Sequence, residues 1–348
     1  MKPRIALIGL GMAVTPHAKG LVDLIASGEA EVAAAFSPTA ARRAAFATNF
    51  PFPLADDLER ILSDRSITAV GILTPPNTHL ELVRRAAAAG KHILLEKPLE
   101  IDAARSEELV ALAEKAGVTL AVMLQHRFRP SGEKLREVLG SGRLGDIVNC
   151  STSIRLWRPQ SYYDEPGRGT KARDGGGVLL TQGIHTLDLM LALAAPFAGP
   201  IVEVTGFAVT SPVHRMETED MVAAAVRFAN GALGVIEATT AAYPGFPERI
   251  DIAGTKGSAS LAGTSLSLAF TDGTREEVVP DGTAGGTGAD PMAFPHDYHR
   301  AVWADFIKAL ARGGTPRVTG REALRVHRLI DALLEAARAG GRVRVAGT

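Results

Sequence analysis

The first 125 residues alternate short apolar runs with longer stretches of helical periodicity. The apolar runs are Arg4–Gly9, Glu31–Phe36, Ala69–Leu73, His92–Glu96 and Thr119–Leu124. Helices are expected between them at Pro16–Ser27, Thr39–Thr48, Thr78–Ala89 and Ala103–Ala116. Near-continuous apolar strands separated by helices are typical of a parallel sheet that is covered on both faces. The pattern therefore predicts a doubly wound α/β domain over residues 1–125.

After Arg127 the pattern changes to shorter, alternating segments separated by tight turns. Strands are expected at Asp146–Arg155, Ile201–Thr210, Asp220–Phe228, Leu233–Thr240, Ile250–Ala253, Ser258–Ala262 and Leu266–Phe270. Helices are expected at Val178–Ala194, His299–Arg312 and Gly320–Arg338, and a Gly- and Thr-rich loop at Asp281–Asp290. Consecutive short strands with Gly, Asn or Asp turns favour an antiparallel arrangement. We therefore predict a second α/β domain over residues 126–348, with a mostly antiparallel open sheet.

Charge and cysteine content narrow the class of partner. The chain has 38 Lys plus Arg against 38 Asp plus Glu, a balance that offers no electrostatic footprint for nucleic acid or a membrane surface. No apolar window approaches the length of a membrane span, and the single cysteine, Cys150, cannot form a disulfide framework. His296, Asp297 and His299 are close in sequence, but no further ligands accompany them, so no metal site is predicted. A cytoplasmic protein with a small-molecule partner is expected.

The turn after the first strand carries a dinucleotide fingerprint, Gly9-Leu10-Gly11-Met12-Ala13-Val14. Gly9 permits the tight turn, Gly11 lets the backbone approach a pyrophosphate, and the amides of the following helix face the anion. Val14 stands where a third Gly or an Ala is usual. Thr15 and Pro16 are expected to cap and begin the helix. Candidate cofactor contacts here are Gly9, Gly11, Met12 and Ala13.

The end of the second strand bears on the choice between NAD and NADP. An acidic residue at this position selects NAD by binding the ribose, and the sequence Ala35-Phe36-Ser37-Pro38 contains none. Ser37, Thr39 and Arg42 could instead bind a 2′-phosphate. The sequence therefore allows either cofactor and slightly favours NADP.

Two further motifs follow predicted strands, where doubly wound sheets bind ligands. They are Thr74-Pro75-Pro76-Asn77-Thr78-His79 and Glu96-Lys97-Pro98. Downstream come Gln125-His126-Arg127-Phe128-Arg129-Pro130, then Gly175-Gly176-Gly177 ahead of Gly183-Ile184-His185-Thr186-Leu187-Asp188. In this order and spacing, the motifs resemble those of the Gfo/Idh/MocA family of oxidoreductases, and the resemblance covers nearly the whole chain.

The resemblance implies a Rossmann domain followed by an α/β domain whose sheet often forms a dimer or tetramer interface. It implies that Lys97 lies near the nicotinamide and substrate, and that His185 is the active-site histidine. Many members carry Asp or Asn four residues before that histidine, where this chain has Thr181. The remaining cofactor candidates implied by the two motifs are Thr74, Pro75, Asn77, His79 and Glu96.

The chemistry of such an enzyme requires a proton to move and negative charge on oxygen to be stabilised. Histidine suits proton transfer near neutral pH, and a lysine beside the oxygen supplies a donor and a positive charge. We therefore assign His185 as general acid/base and Lys97 as electrostatic stabiliser. The swapped assignment, with Lys97 as the base, stays open.

Substrate contacts are expected in the second domain. An aromatic and basic segment contains Trp157, Arg158, Tyr162, Tyr163, Arg168, Lys171 and Arg173. Aromatic faces suit a sugar ring, and basic groups suit hydroxyls, carboxylates or phosphates. The candidate substrate residues are Arg127, Trp157, Tyr163, Arg173, Thr181 and His185.

Two other functions remain as alternatives. Some relatives use bound NAD transiently and act as glycosidases, and others are dinucleotide-sensing regulators without catalysis. Because both Lys97 and His185 are present, the sequence favours an NAD(P)-dependent oxidoreductase that acts on a sugar or polyol.

Overall fold

The computed structural model describes residues 2–279 and 295–347, so the loop predicted at Asp281–Asp290 lies outside the described residues. The helices are α1 Val14–Ala26, α2 Ala40–Ala47, α3 Leu58–Ser63, α4 His79–Ala88, α5 Ala103–Lys115, α6 Pro130–Gly140, α7 Gln160–Tyr163, α8 Ile184–Ala198, α9 Asp297–Arg312 and α10 Gly320–Ala339. The strands are β1 Arg4–Ile8, β2 Glu31–Phe36, β3 Leu54–Ala55, β4 Ala69–Ile72, β5 His92–Leu95, β6 Leu120–Val122, β7 Ile147–Arg155, β8 Ile201–Val209, β9 Met221–Phe228, β10 Leu233–Thr239, β11 Arg249–Gly254, β12 Gly257–Ala262, β13 Ser265–Phe270, β14 Arg275–Val278 and β15 Val343–Arg344. Among these residues, no helix is long and apolar enough to cross a bilayer.

The chain divides into two compact units. The first comprises Met1–Gln125 with Pro295–Leu324, and the second comprises His126–Phe294 with Arg325–Thr348. The first unit thus contains Pro295–Leu324 as well as residues 1–125, and within it α9 packs against α1. An amphipathic pattern predicts a helix but does not identify the surface that it covers.

In the first unit, the described strands form a sheet in the order β3-β2-β1-β4-β5-β6, with every neighbouring pair parallel. The predicted doubly wound sheet is therefore confirmed. Strand order reverses between β1 and β4, whose carboxyl ends lead to Gly9 and Thr74. This is the switch point at which such sheets bind ligands.

In the second unit, the described strands form a sheet in the order β14-β13-β12-β11-β7-β10-β9-β8-β15. Only β7 and β10 pair in parallel, so the predicted, mostly antiparallel sheet is confirmed. Helices α6 and α8 pack against it. Along β9, exposed and buried residues alternate strictly, as in a strand with one covered face.

The helix predicted at Val178–Ala194 differs in detail. It begins with a π-helical turn, Leu179–Gly183, and continues as α8 to Ala198, past Pro196. Gly199, with φ of 75°, ends it. A π turn carries an extra residue and rotates the side chains that follow, which local periodicity does not reveal.

Candidate active site

The glycines of the fingerprint form an open turn at the carboxyl end of β1. Gly9 has φ of 106°, and a Cβ there would lie 2.8 Å from the backbone carbon of Leu73. Only glycine therefore allows β1 and the end of β4 to approach so closely. A Cβ at Gly11 would meet nothing within 4 Å. The turn thus leaves the space that a pyrophosphate needs.

Helix α1 begins earlier than predicted. Its first residue is Val14 and its N-cap is Ala13, already in the right-handed helical region. Thr15 is therefore not the cap, and Pro16 lies in the first turn, where its missing N–H is not required. No side chain caps α1 and its first turn contains no acidic residue. A helix N-terminus of this kind favours an anion, so the cradle fits the pyrophosphate of a dinucleotide.

The loop after β2 and the start of α2 carry polar and basic groups that differ in exposure and in hydrogen-bond partners. Ser37 is 1% exposed, and its hydroxyl accepts the backbone N–H of Thr39 at 3.3 Å. Arg43 donates to the Ser37 carbonyl at 2.6 Å, whereas Arg42 and Thr39 are exposed. The sequence pattern places these residues in the loop, but it does not show that Arg43, in the first turn of α2, binds the backbone of Ser37 while Arg42 is exposed.

The Thr74–His79 motif forms a 3₁₀ turn that leads into α4, with Pro75 and Asn77 exposed. His79 is 0% exposed. Its Nε2 lies 2.8 Å from the Thr74 carbonyl and its Nδ1 lies 3.0 Å from the Pro98 carbonyl. The buried imidazole thus links the loop after β4 to the loop after β5. The sequence predicts His79 as a cofactor contact. In the structure its side chain is buried, whereas the candidates Pro75 and Asn77 in the same motif are exposed.

The Glu96-Lys97-Pro98 motif follows β5 and turns its acid inward. Glu96 Oε1 accepts a hydrogen bond from His17 Nε2 at 2.7 Å, and Oε2 accepts the backbone N–H of Lys97 at 2.9 Å. Burial alone would raise the pKa of Glu96, but the hydrogen bond from His17, together with neighbouring positive charge, outweighs burial and lowers the pKa to about 2. Glu96 is therefore a buried carboxylate next to the half-buried Lys97.

The sequence offered no metal site, yet folding brings His17, Glu96 and His299 together, with possible ligand atoms within 4.8 Å of one another. Trp303 Nε1 lies 3.1 Å from His17 Nδ1. Because an indole can only donate, Nδ1 must accept, so the ring proton sits on Nε2 and points to Glu96. A metal ligand needs a lone pair at that nitrogen. The arrangement fits a hydrogen-bonded chain rather than a metal site.

In the second unit, His185 lies at the start of α8, half-buried. Its ring stacks on His126, with centroids 4.8 Å apart and an interplanar angle of 27°. Arg129 donates to His126 Nε2, so the proton of a neutral His126 lies on Nδ1, 3.7 Å from a carboxylate oxygen of Glu248. Sequence reasoning did not identify His126 as a neighbour of His185.

Arg127, which the sequence predicts as a substrate residue, forms a buried ion pair. Its Nε and a terminal nitrogen donate to the two carboxylate oxygens of Asp188 at 2.7 and 2.6 Å. The two side chains are 7% and 1% exposed. Asp188 lies one turn beyond His185, so the pair fixes the segment His126–Phe128 against α8.

Glu219 explains the last glycine of the triplet before α8. A Cβ at Gly177 would lie 1.7 Å from the Glu219 carbonyl oxygen. The Glu219 carboxylate accepts backbone N–H groups from Gly177 at 3.1 Å and Leu179 at 3.3 Å, and so caps the helix start. Thr181 donates to the Gly177 carbonyl at 2.6 Å and lies against the Gln182 amide. Its hydroxyl therefore supports the turn that leads to His185.

The aromatic and basic segment folds into a cluster. Tyr163 is 7% exposed and its hydroxyl lies 2.8 Å from that of Thr240. Burial raises the pKa of Tyr163 to about 12. Arg173 donates to the Pro166 carbonyl at 2.7 Å, and the half-buried Trp157 packs edge-on to Tyr243. Of the predicted substrate residues in this segment, which are Trp157, Tyr163 and Arg173, Tyr163 is the most deeply buried.

Comparison with known proteins agrees with this architecture. Residues 3–124 match a family model described as "Oxidoreductase family, NAD-binding Rossmann fold", and residues 133–260 match "GFO/IDH/MocA C-terminal domain". Myo-inositol 2-dehydrogenase from Thermotoga maritima is 27% identical over 273 residues, which are 76% of each chain. D-xylose 1-dehydrogenase (NADP(+)) 2 from Haloferax volcanii is 28% identical over 331 residues, 94% of this chain and 96% of the relative.

A solved structure is similar over nearly the full length. It is the WlbA dehydrogenase from Bordetella pertussis in complex with NADH and UDP-GlcNAcA, 26% identical, with a TM-score of 0.83 and 99% of both chains covered. The two family models match both parts of this chain, and its relatives are dehydrogenases. This chain belongs to the Gfo/Idh/MocA family and is an oxidoreductase with an NAD-binding Rossmann domain.

Proposed function

We propose that this protein is an NAD(P)-dependent dehydrogenase that acts on a hydroxyl or keto carbon of a sugar, sugar derivative or polyol. One observation carries the proposal. At the carboxyl edge of the parallel sheet, the open turn at Gly11 follows β1, and Lys97, backed by the Glu96 carboxylate, follows β5. A dinucleotide cradle and a cationic group on the same edge suit redox chemistry at a carbinol carbon.

The roles of the residues follow from their chemistry. A bound nicotinamide supplies the hydride chemistry. His185 takes the hydroxyl proton during oxidation and returns it during reduction. Lys97 stabilises negative charge on the substrate oxygen, and the adjacent Glu96 carboxylate favours this role over that of a base because it attracts a charged ammonium. Thr181, the neighbour four residues before His185, supports the helix start.

The first unit would hold the cofactor through Gly9, Gly11, Met12 and Ala13. The absence of an acid in the segment Ala35–Thr39 and the exposed Arg42 support a preference for NADP over NAD. The Haloferax relative is named for NADP(+), whereas the Bordetella structure contains NADH. Both cofactors therefore belong in the first binding experiment.

The names of the relatives support a carbohydrate or polyol substrate, since they include myo-inositol and D-xylose dehydrogenases. The Bordetella enzyme binds a nucleotide-linked sugar acid. Basic residues of the aromatic segment suit such an anion, among them Arg168, whose guanidinium lies 4.4 Å from the centre of the Tyr162 ring. We therefore include uronates and nucleotide sugars among the candidate substrates.

A homodimer or homotetramer formed through the second unit's sheet is also proposed. Strands β8, β9 and β10 expose large apolar side chains, with Phe207 76%, Val209 52%, Leu233 59% and Val235 51% exposed. The register places Phe207 opposite Ala223 and Val209 opposite Met221, so these side chains share one face. Contiguous apolar patches of this kind mark association surfaces.

The first experiment is to denature the purified protein and identify any released nucleotide, then to titrate NADH and NADPH by fluorescence. Binding of either, followed by turnover on a panel of inositols, pentoses, uronates and nucleotide sugars, is expected. Turnover without net NAD(P)H change would favour the transient-redox glycosidase. Binding without any turnover would favour a regulator, and no binding at all would refute the oxidoreductase.

The catalytic assignment is tested by Lys97→Ala. This variant should lose at least about 100-fold in kcat, because it removes the positive charge that stabilises the substrate oxygen. Its affinity for NADH should change far less. Turnover close to that of the wild type would contradict the assignment of Lys97.

A further inference from the structure

A second histidine, His126, covers one face of the His185 ring, and the function proposed above gives it no role. The two imidazole rings are stacked, with centroids 4.8 Å apart and an interplanar angle of 27°. His126 is 5% exposed, whereas His185 is half-buried. The proposed general acid/base therefore lies against a flat ring that is more deeply buried than its own.

Two charged side chains hold the ring of His126 by its nitrogens. Arg129 donates to His126 Nε2, and His126 Nδ1 lies 3.7 Å from a carboxylate oxygen of Glu248. The same oxygen lies 3.7 Å from a guanidinium nitrogen of Arg129. Because a guanidinium can only donate, His126 Nε2 keeps its lone pair, and His126 is neutral while this contact lasts. We call His126, Arg129 and Glu248 the ring platform.

The backbone that carries His126 is tied to the helix that carries His185. The next residue, Arg127, forms a buried ion pair with Asp188, which lies one turn beyond His185 on α8. Two consecutive side chains of one short turn thus contact two positions of one helix. The ring platform is therefore fixed relative to α8 at both ends of the turn between His185 and Asp188.

A contact on its face is what sets the plane of a histidine ring. The torsion about the Cβ–Cγ bond has broad, roughly two-fold minima, so a side-chain rotamer alone leaves the ring free to turn. A stacked neighbour limits that rotation, because turning would drive the edge of one ring into the face of the other. A general base has to direct one nitrogen at the proton that it accepts.

We propose that His126 is a positioning residue for His185, and that its ring, held by Arg129 and Glu248, fixes the plane of the His185 imidazole. This inference rests on the proposed role of His185 in catalysis. The energy of one offset-stacked ring pair corresponds to roughly a two- to tenfold change in an equilibrium or a rate. The effect on turnover should therefore be moderate, and far smaller than that of removing His185.

The stack can be measured without a substrate, by nuclear magnetic resonance of protein with isotopically labelled histidine. Ring protons that lie against the face of another ring are shifted upfield by its ring current. The His185 resonances are identified by their loss in His185→Ala. Spectra are recorded at about pH 8.5, where an ordinary histidine is neutral. His296, which lies in the first unit, gives the control resonance.

Two substitutions of His126 separate stacking from hydrogen bonding. His126→Phe keeps a flat ring but offers Arg129 no acceptor, whereas His126→Gln keeps an acceptor but has no ring. The His185 protons should stay upfield in His126→Phe and move downfield in His126→Gln. On a substrate that is turned over, kcat should fall up to about tenfold in His126→Gln and less than about twofold in His126→Phe. The affinity for NADH should not change in either variant.

Unchanged His185 resonances in folded His126→Gln would overturn the inference, and so would an equal loss of kcat in the two variants. Should His126→Gln fail to fold, His126→Leu carries the test, because it places an apolar side chain without a flat face at the same position. A downfield shift is again expected, and wild-type resonances would overturn the inference. Failure of the proposed function would appear separately, as normal turnover by His185→Ala, because the resonance measurement involves no redox step.

Discussion

The ion pair between Arg127 and Asp188 allows a quantitative test of how the second unit supports His185. The Asp188 carboxylate accepts two hydrogen bonds at 2.7 and 2.6 Å, and the two side chains are 7% and 1% exposed. Asp188→Asn would remove the negative charge that these two hydrogen bonds bring to the buried guanidinium. Removing one partner of a buried pair costs about 3 to 5 kcal/mol. Since Asn keeps one acceptor oxygen, we expect a loss of about 3 kcal/mol in the free energy of unfolding.

The measurement is urea unfolding of wild type, Asp188→Asn, Arg127→Met and the double variant Arg127→Met with Asp188→Leu, followed by circular dichroism. Each single variant should be destabilised, whereas the double variant should recover most of the loss because no uncompensated charge remains. NADH binding, which we assign to the first unit, is the control and should not change. A loss below about 1 kcal/mol in Asp188→Asn would refute the reasoning.

Three further changes test other parts of the molecule. Arg42→Ala should weaken NADPH binding about tenfold while affecting NADH little, and equal effects would contradict the NADP preference. Phe207→Glu should reduce the oligomer to a smaller species in light scattering, whereas Leu54→Glu, at an exposed apolar site of the first unit, should not. The pKa of Glu96 falls from 4.5 to about 2 on folding. The contribution of this pKa shift to the free energy of unfolding, about 3 kcal/mol, is therefore present above about pH 5 and lost as the pH falls toward about 2. Urea unfolding of Glu96→Gln should lack this acid dependence.

Much of the fold could be predicted because the way a strand or helix is buried determines the spacing of its apolar residues. The buried strands β1, β2, β4 and β5 match their predicted ranges to within a residue, since a strand covered on both faces is an unbroken apolar run. The strand β3 is absent from the prediction because it is a two-residue edge strand, Leu54–Ala55, that pairs only with the end of β2. The helix α6 also lacks a prediction, although Pro130 at its first turn is a start signal.

The candidate site was less accessible to sequence reasoning. Motif spacing led to Lys97 and His185, but it did not say which way the neighbouring side chains point. Ser37 and His79 occupy the expected loops and are nonetheless 1% and 0% exposed, because the backbone uses their polar atoms. The partner of Glu96, His17, lies 79 residues away, and the partner of His17, Trp303, lies 286 residues away. Local patterns carry no information about such pairs.

Three acids hold the motifs in place. Glu96 binds the backbone of Lys97, Asp188 fixes Arg127 one turn from His185, and Glu219 caps the turn that begins the histidine's helix. A chain could therefore keep both Lys97 and His185 and still lose catalysis if these carboxylates were replaced. Since all three are present and satisfied, the structure favours an active dehydrogenase over a dinucleotide-sensing regulator, beyond what the motif residues alone can argue.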